Sequence, residues 1–210
     1  MAGLPPEYVV RLGEYSVRLV ETDDDLRAVR DLKVLELGEE QTASLEQFRD
    51  WWRRYPFGIY GLFFQGELIG DFDIWPMADE LAIGFIDGKL GYNDLIPQPM
   101  AQLIANPVHY WRIAGLFLRQ DFRGQHKHNP IGLLLGHALN RWADSVGVTY
   151  PMTIFTTAFR IESQNMLQRF GFAQIKAASE MLNGKPLYSR SADSKNELFA
   201  ALVERGLPNP

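Results

Sequence analysis

The apolar pattern changes character once between residues 108 and 146, and that change restricts the fold more than any other feature of the chain. Residues 108–118 read as an extended strand. A polar loop follows, and Asn129-Pro130 then opens a helix: Asn is a good cap, and Pro suits the first turn, where its missing N–H has no partner to lose. Ile131, Leu134, Leu135, Ala138, Trp142 and Val146 fall on one face of that helix. A strand that feeds a one-sided helix through a loop belongs to a sheet covered by helices.

The rest of the chain supplies the other elements of such a sheet. Residues 15–20 alternate apolar and polar, as a half-buried strand does. Thr22 or Asp23 caps a helix to residue 37, with Leu26, Val29, Leu32 and Leu35 at helical spacing, and Ser44 opens a second that ends near Arg54. Two apolar runs, 57–64 and 68–75, joined by Gln65-Gly66-Glu67, read as a β-hairpin. Residues 152–157 form a short strand, and 161–170 a short helix closed by Gly171. Residues 172–182 and 186–190 pair around the Asn183-Gly184 turn, and Ser194 caps a C-terminal helix at 194–205.

Residues 76–107 hold Pro76, Pro97, Pro99 and Pro107, with one short helix at 99–105. They read as an insertion between strands, which either shapes a functional cleft or runs over the surface. The element order predicts an α/β protein of mixed α+β type. It has one domain over residues 1–210, with a single mixed sheet of about six to seven strands flanked by helices.

Composition acts by exclusion. A net charge of −5 disfavours a broad nucleic-acid footprint, and the longest basic cluster, residues 119–127, spans one loop. No apolar run reaches the ~18 residues of a membrane span. Residues 1–6 lack the basic start and apolar core of a signal peptide. The absence of cysteine excludes disulfides, a thiol nucleophile and thiolate metal sites, and fits a cytoplasmic protein.

The chemistry concentrates at Leu116-Phe117-Leu118-Arg119-Gln120-Asp121-Phe122-Arg123-Gly124 and the helix start beyond it. Free N–H groups at a helix N-terminus, with the positive end of its dipole, suit an anion. Arg123 and Lys127 add positive charge, and Gly124 and Gly132 let backbone approach a ligand. Taken alone, the pattern is equally that of a packing turn.

Residues 118–124 resemble the opening of the coenzyme A motif of the GNAT superfamily of acyl-CoA N-acyltransferases. Residues 163–172, ending in Gly171-Phe172, resemble its second motif, and Gln65-Gly66-Glu67-Leu68-Ile69-Gly70 resembles its central hairpin. The resemblance covers residues 15–190 except the insertion. It implies a GNAT fold and transfer of an acyl group, by default acetyl from acetyl-CoA, to an amine of a small molecule or peptide by direct attack.

It further implies that backbone around Phe117, Leu118 and Arg119 bonds the pantetheine and polarises the thioester carbonyl. Arg123, Gly124, Gln125, Lys127, Ile131, Gly132 and Leu133 would line the pyrophosphate cradle, and Asn165 the cofactor groove. The expected partners are an acyl-CoA and an amine acceptor, with no metal, nucleic acid or membrane; a homodimer is left open.

Four features depart from the family pattern. Gln125-His126-Lys127-His128 lengthens the loop, and Pro130 stands where the family has its first Gly. The family's Tyr that protonates the leaving thiolate corresponds to Leu167, so Ser163, one helical turn earlier, is the nearest hydroxyl. No acidic residue lies in 113–118, where some members carry a base. These departures keep three alternatives in view: a fold that binds acyl-CoA or a partner without turnover, an enzyme with a longer acyl donor, and one with a carrier-protein acceptor.

Other residues suit either chemistry or structure. Asp71 and Asp73 point off one sheet face, where they could receive a cationic amine or its proton, or line a solvated edge or pair with arginines. His109 could act as a base near neutral pH or pack by hydrogen bonding. His126 and His128 lack a third metal ligand, so phosphate contact suits them better. Trp51, Trp52 and Trp75 serve the core or a pocket wall.

Overall fold

The structure, a computed structural model, describes residues 9–103, 107–123, 131–158 and 160–198. Along the chain these form β1 (Val9–Leu12), β2 (Tyr15–Leu19), α1 (Asp23–Leu37), α2 (Leu45–Arg54), β3 (Ile59–Phe64), β4 (Glu67–Met77), α3 (Asp79–Ile86), α4 (Met100–Leu103), β5 (Tyr110–Leu118), α5 (Ile131–Val146), β6 (Met152–Thr157), α6 (Ile161–Arg169), β7 (Ala173–Lys176) and β8 (Leu187–Ala192). The strands make one mixed sheet in the order β1-β2-β3-β4-β5-β6-β8-β7, with eight strands where six to seven were expected. The described residues divide into two compact units, one within 1–74 and 115–147 and the other within 75–114 and 148–210.

In the first unit, β1, β2, β3 and β4 pair antiparallel in succession. β1 escaped the sequence reading because four residues give too short an alternation to register. The β3–β4 hairpin closes at Phe64–Glu67, with Gln65 at φ 50° and Gly66 at φ 86°. Both central residues are left-handed, the geometry that matches strand twist. Gln65 tolerates it with support from Glu14, whose carbonyl accepts its N–H at 2.9 Å and whose carboxylate accepts its side-chain amide at 2.6 Å.

Thr22 caps α1 by accepting the Asp25 N–H, and three aspartates in the first turn favour the helix dipole. Ser44 and Gln47 form a reciprocal capping box on α2. One expectation fails on α1: Leu35 is 78% exposed, and the inward place belongs to Lys33. The buried residues Leu26, Val29 and Lys33 follow steps of three and four, and Leu35 lies off that stripe.

In the second unit, β6 and β8 pair antiparallel over their full length, with β7 beside β8. β5 and β6 are parallel, but their ladder holds only Tyr110–Thr153, Trp111–Ile154 and Arg112–Phe155; Ile113 and Ala114 lie outside it. β4 runs on to Met77, past the expected stop at Trp75. The insertion contains α3, which the sequence reading missed because no side chain caps it at Ala78 and Gly84 interrupts its helical pattern.

The strand expected over 172–182 ends at Lys176. There residues 178–180 form a tight turn whose Glu180 carboxylate accepts the Ala177 N–H at 2.7 Å. The helix start expected at Asn129-Pro130 lies outside the described residues, as does the part beyond Leu198 of the helix expected at 194–205.

Candidate functional site

Two groups of side chains in the first unit carry chemistry. In the first, Lys33 of α1 reaches Asp71 Oδ2 at 2.7 Å and Asp73 Oδ2 at 2.5 Å, both on β4. Residue exposures are 7%, 1% and 3%, so the aspartates form neither a solvated edge nor arginine partners. Gly115 of β5 completes the group: a Cβ there would stand 2.9 Å from Lys33 Nζ and 3.1 Å from Asp73 Oδ2.

Asp71 Oδ1 and Asp73 Oδ1 are buried with no hydrogen-bond partner among the described residues. One ammonium faces two carboxyl groups, and a proton retained on one of them removes the surplus charge. Burial is the main force pushing the Asp71 carboxyl up, to about 8; Lys33 opposes it and Asp73 adds to it. Burial alone would lower Lys33, but Asp71 and Asp73 outweigh it and hold the ammonium above its ordinary range.

The second group lies at the end of β5. The Arg119 N–H donates to Ile69 of β4 at 2.8 Å. The carbonyl of that trans peptide, Leu118's, therefore points away from β4. The Phe117 carbonyl lies 2.3 Å from where a Gly70 Cβ would be, so it faces β4, and the Leu118 N–H of its peptide faces the other way. One residue, Leu118, thus turns both a donor and an acceptor to the strand edge opposite β4.

Around this edge the two loop arginines already have carboxylate partners. Arg119 is held by both oxygens of Asp121 at 2.7 and 2.8 Å and by Glu67; these bonds, Asp121's first, raise its pKa. Arg123 donates from Nε to the Leu118 carbonyl and from Nη2 to Glu36 at 2.9 Å, with its guanidinium 5.3 Å from the Phe117 ring centre. Glu36, Arg119, Gln120 and Asp121 line an open pocket of about 540 Å³.

In the second unit, Tyr92 from the insertion bonds Thr157 at the end of β6 through its hydroxyl. Its ring receives the Arg112 guanidinium at 4.4 Å and the Lys185 ammonium at 5.6 Å, with Phe85 edge-on at 5.7 Å. His109 precedes β5; its carbonyl accepts the Thr153 N–H at 2.7 Å, and its Nδ1 lies 3.4 Å from the Pro151 carbonyl. Ser163 is half-buried and Asn165 exposed on α6, and Leu167 is buried. Trp75 is in the core, while Trp51 and Trp52 are half-buried.

The structure therefore brings Phe117, Leu118, Arg119 and Arg123 together and joins Asp71 to Asp73. Ile131 and Gly132 begin α5. Gly124, Gln125 and Lys127 lie outside the described residues, as does the side chain of Leu133. Lys33 and Glu36 were missed by the sequence reading. A lysine on the apolar stripe of α1 was the available signal for the first, while Glu36 left none. Among the described residues, no helix is long and apolar enough to cross a membrane.

No family profile matches the chain, and no curated protein matches it by sequence. Solved structures do match. The loading GNATL domain of CurA from Lyngbya majuscula is 15% identical, with 84% of this chain and 97% of that one covered at a TM-score of 0.57. FeeM, an N-acyl amino acid synthase from uncultured soil microbes, is 14% identical, covering 91% and 96% at 0.59. A GphF GNAT-like decarboxylase in complex with isobutyryl-CoA is 14% identical, covering 83% and 98% at 0.56. The chain has the GNAT fold.

Proposed function

We propose that this chain is an acyl-CoA-dependent N-acyltransferase, moving acetyl by default from coenzyme A to an amine of a small molecule or peptide. The observation that carries the reading is the end of β5: Leu118 directs its N–H and carbonyl away from β4, immediately before the arginine loop and α5. A donor so fixed suits a thioester carbonyl whose oxygen gains charge as the amine attacks. Holding the two reactants together accounts for much of the acceleration. The amine loses a proton, the C–S bond breaks, and the thiolate leaves.

Asp71 and Asp73 are the proposed destination of the amine's proton. Buried as they are, they would take it through a relay and not by direct contact. Ser163 is the proposed proton source for the thiolate and His109 a further base. Phe117, Leu118, Arg119, Arg123, Gly124, Gln125, Lys127, Ile131, Gly132, Leu133 and Asn165 are the proposed acyl-CoA contacts. We propose that the insertion at residues 76–107 shapes the acceptor side.

Titration calorimetry with acetyl-CoA tests binding, and thiol release against a panel of amines tests turnover. Micromolar binding with amine-dependent release is expected; no binding at millimolar ligand would sink the reading. Buried Leu167 at the position of the family's Tyr favours a second reading, acyl-CoA binding without turnover. Binding with no release for any amine would select it.

A further inference from the structure

Arg123 is one of the loop residues expected to meet phosphate, yet its guanidinium is turned back on the chain. Nε donates to the Leu118 carbonyl, and Nη2 holds Glu36 Oε2 at 2.9 Å. Glu36 Oε1 accepts the Gln120 N–H at 3.1 Å, so one carboxylate ties both ends of the turn at 120–123 to α1. The Glu36 and Arg123 side chains are 12% and 29% exposed, which makes this a half-buried ion pair and not a solvated one. The carbonyl that Arg123 takes is the acceptor that β5 turns away from β4, the group a pantetheine amide needs.

We propose that Glu36 and Arg123 form a plug on the acyl-CoA site: acyl-CoA takes the Leu118 carbonyl by displacing the guanidinium, which swings to the phosphates. The proposal rests on the acyl-CoA reading above. Displacement exchanges each Arg123 contact for one with the ligand, but leaves the Glu36 carboxylate without its partner. Glu36 therefore favours the closed form, and apparent affinity falls by the fraction of molecules that are closed.

The test is Glu36→Gln, which keeps an oxygen for the Gln120 N–H and removes the charge that holds Arg123. Stopped-flow and calorimetry with acetyl-CoA should show association about fivefold to tenfold faster and a Kd lower by a similar factor. Glu36→Asp, shorter by one methylene and still charged, should give part of the gain, which a general charge effect cannot. Glu67→Gln and Asp121→Asn remove neighbouring carboxylates that hold Arg119, and should change Kd by no more than about twofold.

An unchanged or weaker Kd in Glu36→Gln, with wild-type binding intact, overturns the plug alone. So does an equal gain in Glu67→Gln or Asp121→Asn, or no gain in Glu36→Asp. Failure of every variant and the wild type to bind millimolar acetyl-CoA removes the acyl-CoA reading and the plug with it.

Discussion

Gly70 of β4 sets how closely β5 can approach. A Cβ at this position would lie 2.3 Å from the Phe117 carbonyl oxygen, 3.2 Å from Leu118 Cα and 3.3 Å from the Phe117 carbonyl carbon, where ordinary contact begins at 3.4 Å. All three atoms are backbone, so no side chain can turn aside, and Gly70→Ala must push β5 away by about 1 Å. Overpacking of this kind costs about 1–3 kcal/mol, and a backbone obstacle belongs at the upper end. At about 2–3 kcal/mol and about 2–4 °C per kcal/mol for a chain of this size, Tm should fall by about 4–12 °C.

The displaced peptide is the one that aims the Leu118 N–H, and a misplacement of about 1 Å can cost a hundredfold in rate. For the proposed acyl transfer we therefore expect kcat/KM to fall by about 10- to 100-fold, beyond what the loss of stability explains at 25 °C. Gly61→Ala is the control: its Cβ would meet the Phe63 ring at 2.6 Å and Leu68 Cδ1 at 3.1 Å, both side chains. It should cost less than about 1 kcal/mol and leave activity within about threefold. A Gly70→Ala melting point within a degree of wild type, or a Gly61→Ala protein worse than Gly70→Ala, would refute the reasoning.

Lys33→Met leaves two buried carboxyl groups without a cation and should cost about 3–5 kcal/mol in urea unfolding; a much smaller loss in an Asp71→Asn/Asp73→Asn background would show that the pairing is the cause. Asp71 holds its proton up to about pH 8 when folded and to 3.8 by its ordinary value, so the folded state binds more protons between them. Its contribution to stability is thus complete below the lower value and lost as pH rises through the higher one; between pH 5 and 8 the loss is at most about 1.4 kcal/mol per unit, and Asp71→Asn should flatten the melting profile there. If Ser163 is the proposed proton source, Ser163→Ala should lower kcat about tenfold, below the usual range for a general acid because a thiolate leaves readily, with Kd unchanged. A silent Ser163→Ala in steady-state kinetics would leave protonation to water.

The elements most legible in the sequence are those whose ends are written in local chemistry. Thr22 and Ser44 cap α1 and α2 where expected, Gln65-Gly66 turns β3 into β4, and Gly171 at φ 80° closes α6. α3 has no such signals, since Ala78 offers no capping oxygen. β7 stops early for a reason beyond its own pattern: the turn at 178–180 is fixed by Glu180 reaching back to Ala177. Alternation shows which face a residue takes, but not where pairing ends. The β5–β6 ladder stops after Arg112 although the apolar run continues to Leu118.

The candidate site divides along the same line. Leu118, Arg119 and Arg123 are adjacent in the chain, so a strand ending in an arginine loop made them visible. The Asp71–Asp73 pair was visible as a face, but its partner lay forty residues away on a helix whose stripe was read through Leu35. Lys33 stands four residues after Val29 and seven after Leu26, so α1 buries a cation and some other element must supply an anion. Two carboxyl groups on one face of β4 meet that need with one charge to spare. A buried surplus is relieved most readily by a retained proton, which is the direction in which the Asp71 carboxyl is displaced. Glu36 gave no comparable signal: as a glutamate near a helix end it looks solvated until Arg123 folds back onto it.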